Sequence, residues 1–411
     1  MITICESIEN IEKIIAATKI RQNEVYCLSS QCVMQKTDDG VLLYHTLTCA
    51  LLLLDEHEAA LLNALPGQIP EGLETLATGR FLVPVEADEP TYCEQLRRIL
   101  AMTQKKEDAI TSYTIFTTTD CNARCFYCFE LGKSRIPMTD STAKKIGEYI
   151  TAHCKGKPVR LHWFGGEPLM GMNAIDIILA ELKKNNISYS SIMTSNGYLF
   201  DEELVGKAKD EWKLKRIQIT LDGTEEIYNR RKAYIYCEGS AYRRVLKNIG
   251  LLLDAGIHVQ IRLNLDMNNQ DELYKLVNEL ADTFGARENL SVYNYIIFEK
   301  TGENRSAEQR KELYQASAAL TEHIRRCGLA KAEGVPRDFK LNCDMADNDA
   351  CVTVTPEGRL GKCEHFSETE EMWGSIWSEE KDEAVIASWK ERYPALPECK
   401  SCFCYPNWKT R

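Results

Sequence analysis

Three thiols fall within eight residues in Cys121-Asn122-Ala123-Arg124-Cys125-Phe126-Tyr127-Cys128, just after a β-type run from Tyr113 to Thr119. A helix would splay this spacing along its axis, whereas a loop at a strand end can bring all three thiols to one centre. Thiolates hold iron–sulfur clusters, and a cubane 4Fe-4S cluster has four irons, so three cysteines leave one iron free for something else. Zinc sites follow a similar logic: structural ones close with four protein ligands, and catalytic ones leave a position open. A zinc knuckle or a set of buried cysteines is the simpler alternative.

The 411 residues suffice for two or three domains, and with 44% hydrophobic and 27% charged residues the chain reads as globular. No apolar run reaches membrane-spanning length, and the start Met1-Ile2-Thr3-Ile4-Cys5-Glu6 lacks the basic and apolar regions of a signal peptide. A cytoplasmic protein is expected. Seventeen cysteines in such a chain point to metal or redox chemistry rather than disulfides. A net charge of −11 argues against nucleic acid as the main partner.

Residues 1–95 read as a small domain of winged-helix-like pattern. Strands are expected over 24–34 and 40–54, with Thr37-Asp38-Asp39-Gly40 as the turn between them. Helices should cover 55–65, with Asp55 as N-cap, and 71–78, and Gly79 to Pro84 should close the module as a strand. Its use could be peptide capture by strand addition. Cys27, Cys32 and Cys49 are expected as buried cysteines within the strands.

A polar helical linker, 96–110, leads to a region 111–328 in which short apolar runs alternate with amphipathic helices. The strands expected are 113–119, 159–164, 189–194, 216–221, 259–264 and 292–298, and the helices 140–154, 171–184, 201–211, 241–255, 270–284 and 307–326. Six βα repeats predict an α/β fold, a partial (βα)6 barrel of the TIM type, with chemistry at the C-terminal ends of the strands.

The cysteine loop resembles the CxxxCxxC signature of the radical S-adenosylmethionine (SAM) superfamily, including the aromatic Tyr127 before the third cysteine. The resemblance implies that Cys121, Cys125 and Cys128 hold a 4Fe-4S cluster whose open iron chelates SAM. Cleavage of SAM then gives a 5′-deoxyadenosyl radical. Three further motifs follow in the family's order. Phe164-Gly165-Gly166-Glu167-Pro168 resembles the GGEP segment, where freed carbonyls and the Glu167 carboxylate would accept hydrogen bonds from the SAM ammonium. Thr194-Ser195-Asn196-Gly197 resembles the TNG segment beside the SAM ribose and carboxylate. Thr220-Leu221-Asp222-Gly223, followed by Arg230-Arg231, resembles SLDG. An arginine suits the carboxylate because its fork binds bidentately. Arg231, Arg262 and Asn264 compete for this role.

Past Gly328 the helical pattern fades and cysteines return at 343, 351, 363, 399, 402 and 404, with a hairpin expected between Cys351 and Cys363. This stretch, 329–411, resembles the cysteine-rich SPASM (twitch-like) extension, whose cysteines hold auxiliary iron–sulfur clusters. Cys343, Cys351, Cys363, Cys399, Cys402 and Cys404 are the implied ligands of one or two 4Fe-4S clusters. Six cannot fill eight positions, so a cluster lacks a ligand, Cys327 joins in, or one cluster is present. Structural zinc is the alternative.

Residues 44–83 are similar to the N-terminal region of radical SAM peptide maturases. Together the parts imply an oxidoreductase that modifies a ribosomally made peptide, with a thioether crosslink as the first expectation and a flavodoxin or ferredoxin as electron donor. A similar chain could be an anaerobic sulfatase maturase making formylglycine, with Asp266 or Glu299 as base, or a non-catalytic iron–sulfur scaffold for a peptide.

Overall fold

The computed structural model describes residues 2–5, 23–103, 107–130, 132–235, 238–297, 305–330, 349–364 and 371–391. These fall into two compact units, one of residues up to 103 together with 386–391, the other of residues 107–330 and 349–385.

In the first unit four antiparallel strands lie in the order β1 (Ile2–Cys5), β5 (Leu51–Leu54), β4 (Gly40–His45) and β3 (Cys32–Thr37). Strands β2 (Tyr26–Leu28) and β6 (Leu82–Pro84) pair separately. Helix α1 (Glu56–Leu62) starts at Asp55, whose carboxylate accepts from the Glu58 amide at 2.7 Å while Glu58 caps Asp55 in return. Helix α2 (Glu74–Thr78) is short, and α3 (Glu89–Thr103) closes the unit. Leu43, Leu52, Leu54, Leu76 and Phe81 fill its core.

Several sequence expectations fail here. Residues 24–34 are divided between β2 and β3, which lie in separate sheets, and Cys27 and Cys32 are half-buried rather than buried. Residues 40–54 are two strands, because the chain reverses through 46–50 with Cys49 at φ 59° and its amide bonded to the His45 carbonyl at 2.8 Å. Cys49 therefore sits in a buried turn rather than a strand. The turn is built on His45. Its Nδ1 accepts from the Thr48 amide at 3.2 Å, and its ring meets Phe81 edge-on with centroids 5.3 Å apart. Burial, assisted by the Arg80 charge, pushes its pKa down to about 3.

The second unit is a sheet whose six parallel strands follow chain order: β7 (Ser112–Phe116), β8 (Val159–Phe164), β9 (Tyr189–Ser195), β10 (Leu214–Leu221), β11 (His258–Leu265) and β12 (Leu290–Ile296). Between them run α4 (Asp140–His153), α5 (Met172–Lys184), α6 (Glu202–Asp210), α7 (Glu225–Lys232), α8 (Ala241–Asp254) and α9 (Gln270–Phe284), with α10 (Ala307–Arg326) after β12. Side-chain oxygens of Thr139, Asp201, Ser240 and Ser306 cap α4, α6, α8 and α10. Strand β7 ends three residues before Thr119, since the Thr118 and Thr119 hydroxyls donate to the Ile136 and Ser134 carbonyls and turn the chain away. Helix α7 falls where no helix was expected.

The strand order is that of a barrel wall, and the wall does not close. The free edge of β7 pairs in parallel with β13 (Cys351–Val354), which turns through Gly358 (φ 86°) into the antiparallel β14 (Arg359–Gly361). This is the expected hairpin. Strands β15 (Gly374–Ser375) and β16 (Ser378–Lys381) extend the sheet, and α11 (Glu383–Glu391) follows.

The faces of the parallel strands differ. Ile115, Trp163, Met193, Ile217, Ile219, Ile261 and Leu263 are buried on one face, as parallel strands require. On the other face, in paired register, stand Thr114 with His162, Thr194 with Gln218, Thr220 with Arg262, and Arg262 with Tyr293. A parallel sheet polar on one face has a cavity to serve rather than a core to fill. Among the described residues no helix is long and apolar enough to cross a membrane.

His45 supplies a test of the first unit. Its proton affinity is depressed on folding, so below the ordinary histidine pKa near 6.5 the unfolded chain gains a proton that the folded one refuses. Stability should therefore fall as pH drops from 6.5 toward 3, with a slope approaching ~1.4 kcal/mol per pH unit. Urea unfolding across this range should show the slope, and a flatter profile in His45→Gln.

Candidate active site

The three thiols and the GGEP turn meet because two backbones pack in direct contact. A Cβ on Gly165 (φ 133°) would lie 2.1 Å from the Thr118 carbonyl oxygen, and one on Gly166 would lie 2.2 Å from that of Asp120. Hydrogen bonds follow from this approach: the Gly166 amide donates to Thr118 at 3.0 Å and the Glu167 amide to Asp120 at 2.8 Å. Cys121, Cys125, Cys128, Asp120, Arg124 and Gly166 line one pocket of about 170 Å³. Arg124 braces the loop by donating to the Cys121 and Ala123 carbonyls.

Among the described residues no three His, Cys, Asp or Glu groups converge on a point that one metal ion could fill. The thiols surround a space instead, which suits a multi-atom cluster better than zinc held directly at ~2.3 Å. Burial pushes the Cys121 thiol up to about 12, with added repulsion from Glu167 and the other two cysteines, and burial raises Cys125 and Cys128 also. A cationic group among them reverses that cost by holding all three as thiolates. The donor set therefore fits an iron–sulfur cluster.

Several residues expected to face SAM have protein partners. Glu167 is fully buried, and its carboxylate accepts from the Ser195 hydroxyl (2.8 Å), the Asn196 amide (2.8 Å) and the Leu169 amide (3.2 Å). Through these bonds it ties two strand-end loops together. Burial raises its pKa to about 7. Pro168 opens the 3-10 turn Pro168–Gly171 and accepts from the Thr117 hydroxyl at 2.9 Å. The Tyr127 hydroxyl donates to Asp222 Oδ2 at 2.5 Å. Asn196 does reach the thiol loop, with its Nδ2 at 2.7 Å from Asn122 Oδ1 and 3.8 Å from Cys121 Sγ.

The competing arginines separate. Arg231 donates to Asp266 at 2.7 Å and lies over the Phe126 ring, so both it and the expected base Asp266 are engaged. Arg262 donates to Asn264 Oδ1 at 3.0 Å and stacks over Tyr295 at 4.1 Å, with no carboxylate partner among the described residues. Beside it, in register, stands Thr220. Of the C-terminal cysteines, Cys351 is buried in β13 and Cys363 follows β14. Cys343, Cys399, Cys402, Cys404 and Glu299 lie outside the described residues.

Sequence reasoning missed two residues. Lys232, at the end of α7, is buried against Tyr127 and Asp222. His162, two residues before Phe164 on the polar face, bonds Thr194 Oγ1 at 2.9 Å, and burial holds it neutral with its pKa near about 4. The signal available for His162 was its place on a strand whose alternate residues are apolar.

Residues 115–280 match the model of the Radical SAM superfamily. The match covers about two fifths of the chain, and together with relatives named as enzymes it supports an enzyme rather than a non-catalytic scaffold. In sequence the chain is 26% identical over 302 residues to a probable GTP 3′,8-cyclase of Archaeoglobus fulgidus, covering 69% of this chain and 96% of that one. A probable GTP 3′,8-cyclase of Methanococcus aeolicus is 34% identical over 124 residues, and there the match spans 40% of the relative's length. In fold, Streptococcus suis SuiB bound to S-adenosylmethionine superposes with a TM-score of 0.55 at 13% identity, over 92% of this chain and 94% of that one. Native anSMEcpe with bound AdoMet and Cp18Cys peptide gives 0.56 at 16% identity, over 71% and 86%.

The backbone contact at Gly166 is open to test. Gly166→Ala should push the thiol loop off the GGEP turn, cost about 2 kcal/mol and lower the iron bound per chain after reconstitution. Gly206→Ala, with nothing within 4 Å of the new Cβ, should leave iron binding unchanged.

Proposed function

We propose that this enzyme matures a ribosomally made peptide by hydrogen abstraction, with a thioether between a cysteine sulfur and a carbon as the product. The observation that carries the radical chemistry is the convergence of Cys121, Cys125 and Cys128 on one pocket at the C-terminal end of β7. A 4Fe-4S cluster held there, with SAM on its open iron, supplies reductive cleavage of the sulfonium to 5′-deoxyadenosyl radical. Asn196 orients Cys121, and Gly165 and Gly166 let the two loops touch. Arg262, with no carboxylate partner among the described residues, offers its fork to a ligand carboxylate, flanked by Thr220 and Asn264. The polar face from Thr114 to Tyr295 forms the wall past which a substrate reaches the radical.

A peptide substrate is supported by the likeness of fold, over 93% of this chain, to SuiB bound to precursor peptide SuiA. Residues 1–95 act, in this reading, as a winged-helix-like docking domain, 96–110 as linker, 111–328 as the catalytic barrel, and 329–411 as a SPASM-like domain with one or two auxiliary 4Fe-4S clusters. Forming the thioether removes a hydrogen atom from carbon, a proton from the thiol and one electron, and the auxiliary cluster is the acceptor for that electron. The starting electron comes from a cytoplasmic flavodoxin or ferredoxin.

A second reading, radical cyclisation of a nucleotide, is favoured by the names of the sequence relatives. The two readings separate by mass spectrometry. Reduced, reconstituted enzyme should form 5′-deoxyadenosine with SAM, and a cysteine-containing peptide encoded beside it should lose the mass of a hydrogen pair. Consumption of GTP with the peptide unchanged would select the nucleotide reading.

A further inference from the structure

Helix α7 ends at Lys232, and Ala233 follows in the left-handed conformation at φ 47°. The bend brings the chain against the thiol loop. The Lys232 carbonyl accepts from the Arg124 amide at 2.8 Å and lies 4.0 Å from Cys125 Sγ, and the Ile235 amide donates to the Asn122 carbonyl at 2.9 Å. The side chain turns inward. Its Nζ donates to the Tyr127 hydroxyl at 2.8 Å and stands 3.3 Å from Asp222 Oδ2, the oxygen that Tyr127 also bonds. Asp222 is 0% and Lys232 4% exposed, and Asp222 Oδ1 has no hydrogen-bond partner among the described residues.

A buried ion pair seldom adds stability over apolar residues of similar volume, so this one calls for another reason. We infer that Lys232 is a positioning residue for the redox centre: its ammonium fixes Tyr127, and hence the Cys125–Cys128 turn, and favours the added electron when a cluster held there is reduced. The inference rests on the reading of these thiols as cluster ligands. Physical support comes from the hydrogen bond from Nζ to Tyr127, which stands two residues after Cys125 and one before Cys128. A fixed charge in a low-dielectric interior acts strongly at that range, and charge and hydrogen bonding near the sulfurs set cluster potentials.

The test is an EPR-monitored potential titration of the anaerobically reconstituted full chain, with iron content and thermal stability measured alongside. The C-terminal cysteines are replaced by alanine so that one cluster reports. Lys232→Met should lower the fraction of cluster reduced at a fixed potential about tenfold, 59 mV for a one-electron couple. Asp222→Asn should move it in the opposite direction, and Lys232→Arg should stay at the parent value. The double variant Lys232→Met/Asp222→Asn, which leaves no unpaired buried charge, should return near the parent and keeps the comparison valid if Lys232→Met is poorly folded. Loaded clusters with one potential in all variants, or shifts of the same sign in Lys232→Met and Asp222→Asn, would overturn the inference. A parent chain that loads no cluster would instead overturn the reading of the thiols, and the inference with it.

Discussion

Backbone-on-backbone contact between Gly165–Gly166 and Thr118–Asp120 is the constraint on which the rest of the site depends. Any side chain at these two positions would occupy a carbonyl oxygen's place, so the thiol loop and the GGEP turn meet only as glycine. Once they meet, Glu167 is carried inside and becomes the tie to the next strand end through Ser195 and Asn196. Asn196 in turn touches the thiol loop again. The ends of β7, β8 and β9 are thereby linked in one circuit, and α7 completes it from β10 through Lys232.

This circuit separates two kinds of polar residue. Asp222, Tyr127 and Lys232 bond one another, Arg231 pairs with Asp266, and Glu167 spends its carboxylate on Ser195, Asn196 and Leu169. Thr220, Arg262 and Asn264 stand on the polar sheet face, where Arg262 has no carboxylate partner among the described residues. The first set ties strand ends together, and the ligand contacts proposed above belong to the second. Holding polar groups in a hydrogen-bonded network fixes geometry, as control over where a reactive species attacks would require.

Much of this was legible in the sequence because it rests on local rules. The six strands and their helices follow from alternation of short apolar runs with amphipathic ones, and the strand-end placement of Cys121, Gly165 and Ser195 follows from chain order. What escaped was set by tertiary packing. Helix α7 carries little amphipathic signal in Glu225–Lys232, so nothing local marks Lys232, next to Arg230-Arg231, as buried. The inward turn of Glu167 depends on partners 28 and 29 residues away. The reversal at 46–50 depends on His45 finding a buried pocket against Phe81, which the leucine-rich strands around it conceal.

The central claim is that Cys121, Cys125 and Cys128 hold a cluster with one iron open to SAM. EPR spectroscopy of the reduced protein, with Cys343, Cys351, Cys363, Cys399, Cys402 and Cys404 replaced by alanine, isolates this cluster. Addition of SAM should change its signal, and Cys125→Ala should abolish it. A signal indifferent to SAM, or one that survives loss of Cys125, would contradict the account.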